Sequence, residues 1–424
     1  MKFLKIPLRY IFINKKRSLI CSLSIFVAAI IVAIGYSWIY GMIDNIVNSY
    51  KNYQTGNIKF INKDYLKNEK FLPVDYFISD SKNLKNLLFE QLEHFFKDKK
   101  GYLKNFQIVE RFNFYGFAGK LDKTNFVQIF SFEFEKEKER FNFEKNIISG
   151  SINLNKNEII IGSGLAKKLK VNIDDYILIS SQTFYGGLNA RKYKVKGIVR
   201  VAVSYLDNST IFMNLNDAKE LVKLDENYAS QILLFFDNRY TDEVFNRLQN
   251  NIFLKNDFKE NNIISQKFYE VMGAYYNTLK IMEKFLFIIF FGIVFFASFV
   301  IINTMMMNIF ERINEIGTLK ALGFSDNQIF LLNILEGTII GMIGGIPGAI
   351  FGYLLTYLMN YYGIDFSRFL NNVDLLMESI IRPNASLKIL FWTIVLSILA
   401  PAVATIIPSR YAKNLNPTEA LKHL

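Results

Sequence analysis

Between Lys284 and Glu311 lies a run of 26 residues, 285–310, without a single charge. About 20 predominantly apolar residues are enough to cross the hydrocarbon of a bilayer as a helix, so a chain carrying this run is built around a membrane. Three further windows agree. Residues 19–41 are uncharged, residues 389–409 are uncharged between Lys388 and Arg410, and residues 329–362 are apolar apart from Glu336. The sequence predicts an α-helical integral membrane protein with four transmembrane helices, and between the first and second it leaves room for a large mixed α/β extracytoplasmic domain.

The first window follows six basic residues (Lys2, Lys5, Arg9, Lys15, Lys16, Arg17) and no acid, which is how a signal peptide starts. The apolar run then continues to Gly41 and ends in Tyr36, Trp38 and Tyr40, which suit an interfacial aromatic belt. No small-residue cleavage site follows a short core, so the segment is expected to stay in the membrane. Basic residues set the orientation. Beyond those six there are Arg312 and Lys320 after the second helix and Arg410, Lys413 and Lys422 after the fourth. The loop 363–386 has only Arg368 and Arg382, facing Asp365, Asp374 and Glu378. Cytoplasmic loops collect Lys and Arg, which places both termini and residues 311–328 inside. The expected layout is a basic cytoplasmic N-terminus 1–18, helices at 19–41, 285–310, 329–362 and 389–409, and an outer domain 42–284. A cytoplasmic segment 311–328, a short outer loop 363–388 and a cytoplasmic C-terminus 410–424 complete it.

Residues 44–283 hold 35 basic and 30 acidic side chains, so the excess of positive charge in the whole chain is not a nucleic-acid platform in this domain. One Cys and two His exclude a disulfide scaffold and a zinc cluster. Cys21 lies inside the first window, and His94 and His423 are isolated; no catalytic residue and no metal ligand set is expected. Strand alternation is expected at 57–62 and at Phe130, Phe132 and Phe134, and helical spacing at 82–98 and 216–224. Ile159–Ile161 reads as a buried strand turning at Gly162-Ser163-Gly164 into a short helix. The glycines are no phosphate loop, since no G-x-x-x-x-G-K-[ST] occurs in the chain. Two later strands, 176–180 and 193–199, are joined by a hairpin whose tip holds Phe184, Tyr185, Gly186, Gly187 and Leu188. Aromatics on such a loop serve either as partner contacts or as packing onto the domain.

On the cytoplasmic side, Ile313, Ile316, Leu319 and Leu322 recur every three residues, Gly323 suits a left-handed helix stop, and Ser325 with Gln328 makes a capping box for the third span. A short amphipathic helix at the inner membrane face is predicted. The third span carries Gly341, Gly344, Gly345, Gly348 and Gly352 beside Pro347, and the small-xxx-small spacing lets helix backbones approach closely. Glu336, costly in lipid, is expected to face protein or the interface as a structural contact without an intramembrane charge partner.

These residues resemble a known family. The run Glu311-Arg312 through Glu315-Ile316-Gly317-Thr318-Leu319-Lys320-Ala321-Leu322-Gly323, then Glu336-Gly337 with the Gly-rich third span, then residues 408–421 (PSRYAKNLNPTEAL), are similar to an FtsX-like ABC-transporter permease with four spans and one large outer domain. The outer domain resembles the periplasmic core shared by lipoprotein-releasing permeases of the LolC/LolE kind and macrolide-exporter-type permeases, through residues 54–58, 159–170, 196–199 onward to Asp207, and 211–224. The resemblance implies that the 311–323 segment is a coupling helix docking on a separate ATPase subunit dimer. That dimer would bind the ATP and Mg, and this chain would hold no cofactor. It further implies a bacterial inner membrane location, a second permease copy or a paralogue, membrane lipids and a lipoprotein substrate as partners, and the hairpin 182–192 as the contact for a periplasmic carrier. Four spans without internal charge pairs make a poor solute channel, whereas a vestibule lined by Ile39, Met42, Ile43, Phe287 and Phe291 would receive acyl chains laterally. Extraction of lipoproteins from the membrane is the function implied first. An exporter of small molecules or peptides working by mechanotransmission, a permease that activates an envelope hydrolase, and a sensor without an ATPase stand as alternatives.

Overall fold

The computed structural model describes residues 5–97, 106–120, 123–201, 203–252, 262–366 and 380–415. Lys2, Arg368, Asp374, Glu378, Lys422, His423 and the residues after Leu415 lie outside them. The chain divides into two compact units, one made of Met1–Asp44, Asn277–Ile364 and Ile381–Leu424, the other of Asn45–Tyr276 and Asp365–Ile380.

Four helices among the described residues are long and apolar enough to cross a membrane: Lys15–Thr55, Ala274–Glu311, Asp326–Tyr362 and Leu387–Lys413. They outrun the uncharged windows because polar residues at their ends continue the helical hydrogen bonding. The first is regular over Lys15–Tyr50 and finishes in a π-helical turn, Lys51–Thr55, closed by Gly56 at φ 60°. The fourth breaks after Ala404 and resumes as Ile406–Lys413. The third long helix packs through two glycine rows. A methyl group on Gly348 would stand 2.5 Å from Phe26 O and one on Gly352 2.7 Å from Ala33 Cβ, and Gly344 meets the Ser22 backbone, so this row lies against the first helix. On the other face Gly341 would bring a methyl to 2.9 Å from Ser397 O, with Gly345 against Ser397 and Gly337 against Thr405. Small residues permit this approach where hydrocarbon solvent offers no hydrophobic drive.

The second unit is built on eleven strands: β1 Ile58–Asn62, β2 Gln107–Arg111, β3 Phe114–Lys120, β4 Lys123–Phe132, β5 Ile147–Gly150, β6 Glu158–Gly162, β7 Tyr176–Gln182, β8 Leu188–Val199, β9 Thr210–Asn214, β10 Gln231–Phe235 and β11 Ile263–Lys267. Ten of them run in the order β11-β1-β10-β2-β4-β3-β7-β8-β6-β9, β5 pairs with β8 beside this path, and a further parallel pairing of β4 with β9 closes six strands into a ring. Alternate residues point into that ring, among them Val127, Ile129, Ile177, Ile179, Ile211 and Met213. On β4, β6 and β9 the intervening residues are buried as well: Phe130, Phe132, Ile160 and Phe212 pack with Phe134, Phe141 and Phe143. Strands covered on both faces read as unbroken apolar runs, which is why Ile159–Ile161 does. On β3, β7 and the first half of β4 the outer face is open, leaving Phe117, Phe126, Tyr176 and Leu178 exposed.

The expected helices fall at Ser81–Lys97 and Leu215–Val222. Phe134 corrects the expected strand alternation: β4 ends at Phe132, and Phe134 opens the short helix Phe134–Glu137 while staying in the same aromatic cluster. The hairpin strands reach further than expected, to Gln182 and Leu188, so only 183–187 form the loop.

Candidate coupling site

The second long helix ends at Glu311, Arg312 leaves helical geometry (φ −114°, ψ 19°), and a new helix runs Ile313–Ala321. It stops in a Schellman arrangement: Phe324 N donates to Leu319 O at 3.1 Å and Gly323 N to Lys320 O at 3.0 Å. Gly323 sits at φ 95°, a conformation that costs a residue with a Cβ. Ser325 then caps the third long helix, its Oγ accepting from Gln328 N while Gln328 Oε1 accepts from Ser325 N at 2.8 Å.

The expected coupling residues separate into two faces. Ile316 and Gly317 are buried, Leu319 is half-buried, and Ile316 packs with Ile309, Ile329, Leu332 and Ala412. Lys320 also turns inward. Its Nζ donates to Lys413 O at 2.6 Å and Leu415 O at 2.8 Å and pairs with Asp326 at 2.8 Å. It thereby satisfies carbonyls at the C-terminal end of helix Ile406–Lys413, where a cation also suits the helix dipole. Lys413 reciprocates with Asn327 Oδ1 at 3.0 Å. Glu315, Ala321, Leu322 and Gly323 face outward with Asn314 and Thr318, and Leu322 is 74% exposed.

Two arginines fasten this segment. Arg17 grips Glu311 through both terminal nitrogens, at 2.5 and 2.7 Å. Arg312 bonds Glu315 at 3.1 Å, lies 3.2 Å from the Tyr10 ring centroid and reaches Glu336 at 3.7 Å. Glu336, only 2% exposed, was expected to lack a charge partner; the structure supplies Arg312. A carboxylate in an apolar helix must find a cation or a donor set, and the turn at Arg312 brings one back.

Where the fourth long helix begins, a cavity of about 170 Å³ opens among Tyr36, Tyr40, Phe287, Phe290, Lys388 and Trp392. Of the five vestibule residues expected from sequence, Phe287 lines it; Phe291 is exposed, Ile39 and Met42 are half-buried, and Ile43 is buried. In the other unit the hairpin tip divides. Phe184 packs 5.2 Å from the Phe77 ring and its N donates to Val222 O at 2.9 Å, whereas Tyr185 and Leu188 are 79% and 86% exposed around Gly186 and Gly187. Among the described residues no group of three His, Cys, Asp or Glu side chains is placed to hold a metal.

Residues 287–417, from the cavity wall on the second helix to just beyond the Lys413 carbonyl held by Lys320, match the family model described as FtsX-like permease C-terminal. The chain carries an FtsX-like permease domain. The matched residues thus contain the helix Ile313–Ala321 and both glycine rows. The chain is similar to the lipoprotein-releasing system transmembrane protein LolC of Buchnera aphidicola subsp. Schizaphis graminum (strain Sg), at 26% identity over 275 residues, covering 63% of this chain and 64% of that protein. It is also similar to LolC of Neisseria meningitidis serogroup B (strain ATCC BAA-335 / MC58), at 22% identity over 279 residues, 63% of this chain and 65% of that protein. The chain thus spans a little under two thirds of the length of these relatives. Among solved structures, the periplasmic region of MacB from Actinobacillus actinomycetemcomitans aligns with a TM-score of 0.34 and 9% identity, over 52% of this chain and 92% of that one.

Sequence reasoning missed Arg312 as the partner of Glu336, the inward cap made by Lys320, the packing role of Gly337, and Lys388 and Trp392 at the cavity. A lone acid in an apolar span does signal a missing cation, but not which one.

Proposed function

We propose that this chain is the membrane subunit of an ABC transporter, and that it couples ATP hydrolysis on a separate ATPase dimer to work done on the outer face of the bacterial inner membrane. The observation that carries this reading is the exposed stripe Asn314, Glu315, Thr318, Ala321 and Leu322 on a helix whose other face is fixed by Ile316 and Lys320. A rigidly held helix with a free polar-and-apolar face suits docking into a cleft of another protein, and a push on it reaches the long helices through Arg312, Glu311 and Lys320. The work we assign is release of lipoproteins, in line with the similarity to LolC, a transmembrane protein of the lipoprotein-releasing system. Drawing acyl chains out of a bilayer costs about 0.8 kcal/mol per CH₂, a load that calls for ATP. In this reading both termini and residues 311–328 are cytoplasmic, the α/β unit is outside, and the exposed hairpin residues Tyr185 and Leu188 are offered to a carrier. No catalytic group or cofactor is assigned to this chain.

Affinity purification of the tagged chain in mild detergent, with mass spectrometry of proteins and lipids, tests this. Recovery of an ATPase with acylated lipoproteins is expected. An ATPase with an adaptor and no lipoprotein indicates the exporter, and no ATPase at all overturns the coupling role.

A further inference from the structure

The cavity at the start of the fourth long helix has a lining that selects its occupant. Its wall is mostly apolar, from Phe287, Phe290, Trp392 and Leu396, with Ser386 and Thr393 as polar members, and the one formal charge among its described lining residues is the ammonium of Lys388. Among the described residues no carboxylate pairs with Lys388. Glu283, one turn before Phe287, is engaged by Lys280 at 3.4 Å. An apolar cavity of about 150 Å³ is large enough to admit benzene; about 170 Å³ therefore takes a run of several methylenes, a piece of a lipid tail rather than a whole one. For a tail already in hydrocarbon, entering another apolar space brings no escape from water. Selection then rests on the cation. It sits in the first turn of a membrane-length helix, at the level where headgroups lie, beside Tyr36 and Trp392 of the kind that mark the interface. Among the described residues no carboxylate compensates that ammonium, so an anionic lipid supplies a net counter-charge that a lipid of zero net charge does not.

We propose that this cavity binds one anionic glycerophospholipid of the surrounding bilayer, with part of one tail between Phe287, Phe290 and Leu396 and the headgroup phosphate on Lys388. The lipid is a resident of the membrane-helix unit, distinct from any cargo, and the proposal stands whatever the transporter moves.

Trp392 reports on the site, since the chain has two tryptophans and Trp38→Phe leaves Trp392 alone. The full chain with that substitution is reconstituted in phosphatidylcholine vesicles, and Trp392 fluorescence is titrated with tail-brominated phosphatidylglycerol or tail-brominated phosphatidylcholine. Phosphatidylglycerol is expected to quench at a mole fraction about fivefold lower, the preference one lysine near an anionic headgroup gives. Lys388→Gln should abolish the difference and Lys388→Arg should keep it. Equal quenching by the two lipids in the parent, or a preference that survives Lys388→Gln, overturns the proposal. If Trp38→Phe impairs folding, the unsubstituted chain with Trp392→Phe as its blank yields the same signal by difference.

Discussion

Arg111 and Glu137 are both fully buried in the α/β unit and bonded to each other, Nε of Arg111 reaching Oε1 at 3.0 Å. Arg111 also donates to Tyr53 O at 3.1 Å and Asn52 O at 2.7 Å, so it ties the π-helical turn after the first long helix to the end of β2. Glu137→Gln leaves the guanidinium buried without a counter-charge and is expected to lower stability by about 3–5 kcal/mol in chemical denaturation. Replacing both by apolar residues should recover only part of that, because the two carbonyls lose their donor. The carboxyls of Glu220 and Asp217, one helical turn apart, are shifted in opposite directions. Glu220 lies between Lys156 at 2.7 Å and Arg191 at 2.6 Å, and these hydrogen bonds hold its carboxyl below the usual carboxylate range. Burial pushes the Asp217 carboxyl up, against the pull of the Asn157 N–H. A depressed carboxyl stabilises the fold above its unfolded value, near 4, and that contribution is lost as pH falls through the folded value. A raised one does the reverse. The Tm of the α/β unit should therefore fall in acid below about pH 4, and Glu220→Gln should flatten that fall. Asp217→Asn should instead raise Tm above the carboxylate range while leaving the acid limb in place.

The helix Ile313–Ala321 was legible as an element. Its threefold apolar spacing, Gly323 and the Ser325/Gln328 box are local signals, and each is seen in the dihedral angles and hydrogen bonds. Which of its residues face inward was only partly legible, since Lys320 reads as a surface charge and turns out to be a buried cap. Exposed and inward positions are expected to fail differently. Glu315→Lys and Leu322→Ala should lower substrate-stimulated ATPase activity of the assembled complex while thermal stability stays within about 0.5 kcal/mol. Ile316→Ala should cost about 2–5 kcal/mol of stability. Unchanged ATPase stimulation in Glu315→Lys removes the docking role from that face. On the third long helix, Gly344→Leu with Gly348→Leu forces side chains into the Ser22 and Phe26 backbone. Overpacking of this kind costs about 1–3 kcal/mol per site, and the variant should purify with a lower Tm or as aggregate. Normal assembly would mean that the row is not a close contact.

At the scale of the whole molecule the six-stranded ring sets the order of local stability. β6 and β9 are buried on both faces, β3 and β7 on one, and among the described residues β5 pairs only with β8. Amide exchange reports such differences. β6 and β9 should exchange last, β5 and the hairpin tip Thr183–Gly187 first, and uniform exchange across the ring would contradict the closure through β4 and β9. That closure joins strands about 80 residues apart in the chain, a long-range pairing that slows folding.

By itself the sequence determined the four membrane-length helices, because hydrocarbon tolerates no run of charge and a 26-residue uncharged segment has few other fates. It also determined the caps and stops of the helix Ile313–Ala321, and the small-residue rows of the third helix, since these depend on neighbours three or four residues away. Tertiary structure alone decided what those rows touch, that Arg312 answers Glu336, that Lys320 holds the carbonyls of residues 413 and 415, and that β4 meets β9 to close the ring. Each of these joins residues distant in the chain. Local propensity carries no information about such pairs; the path of the folded backbone sets which buried charge, carbonyl or strand edge is satisfied by which partner.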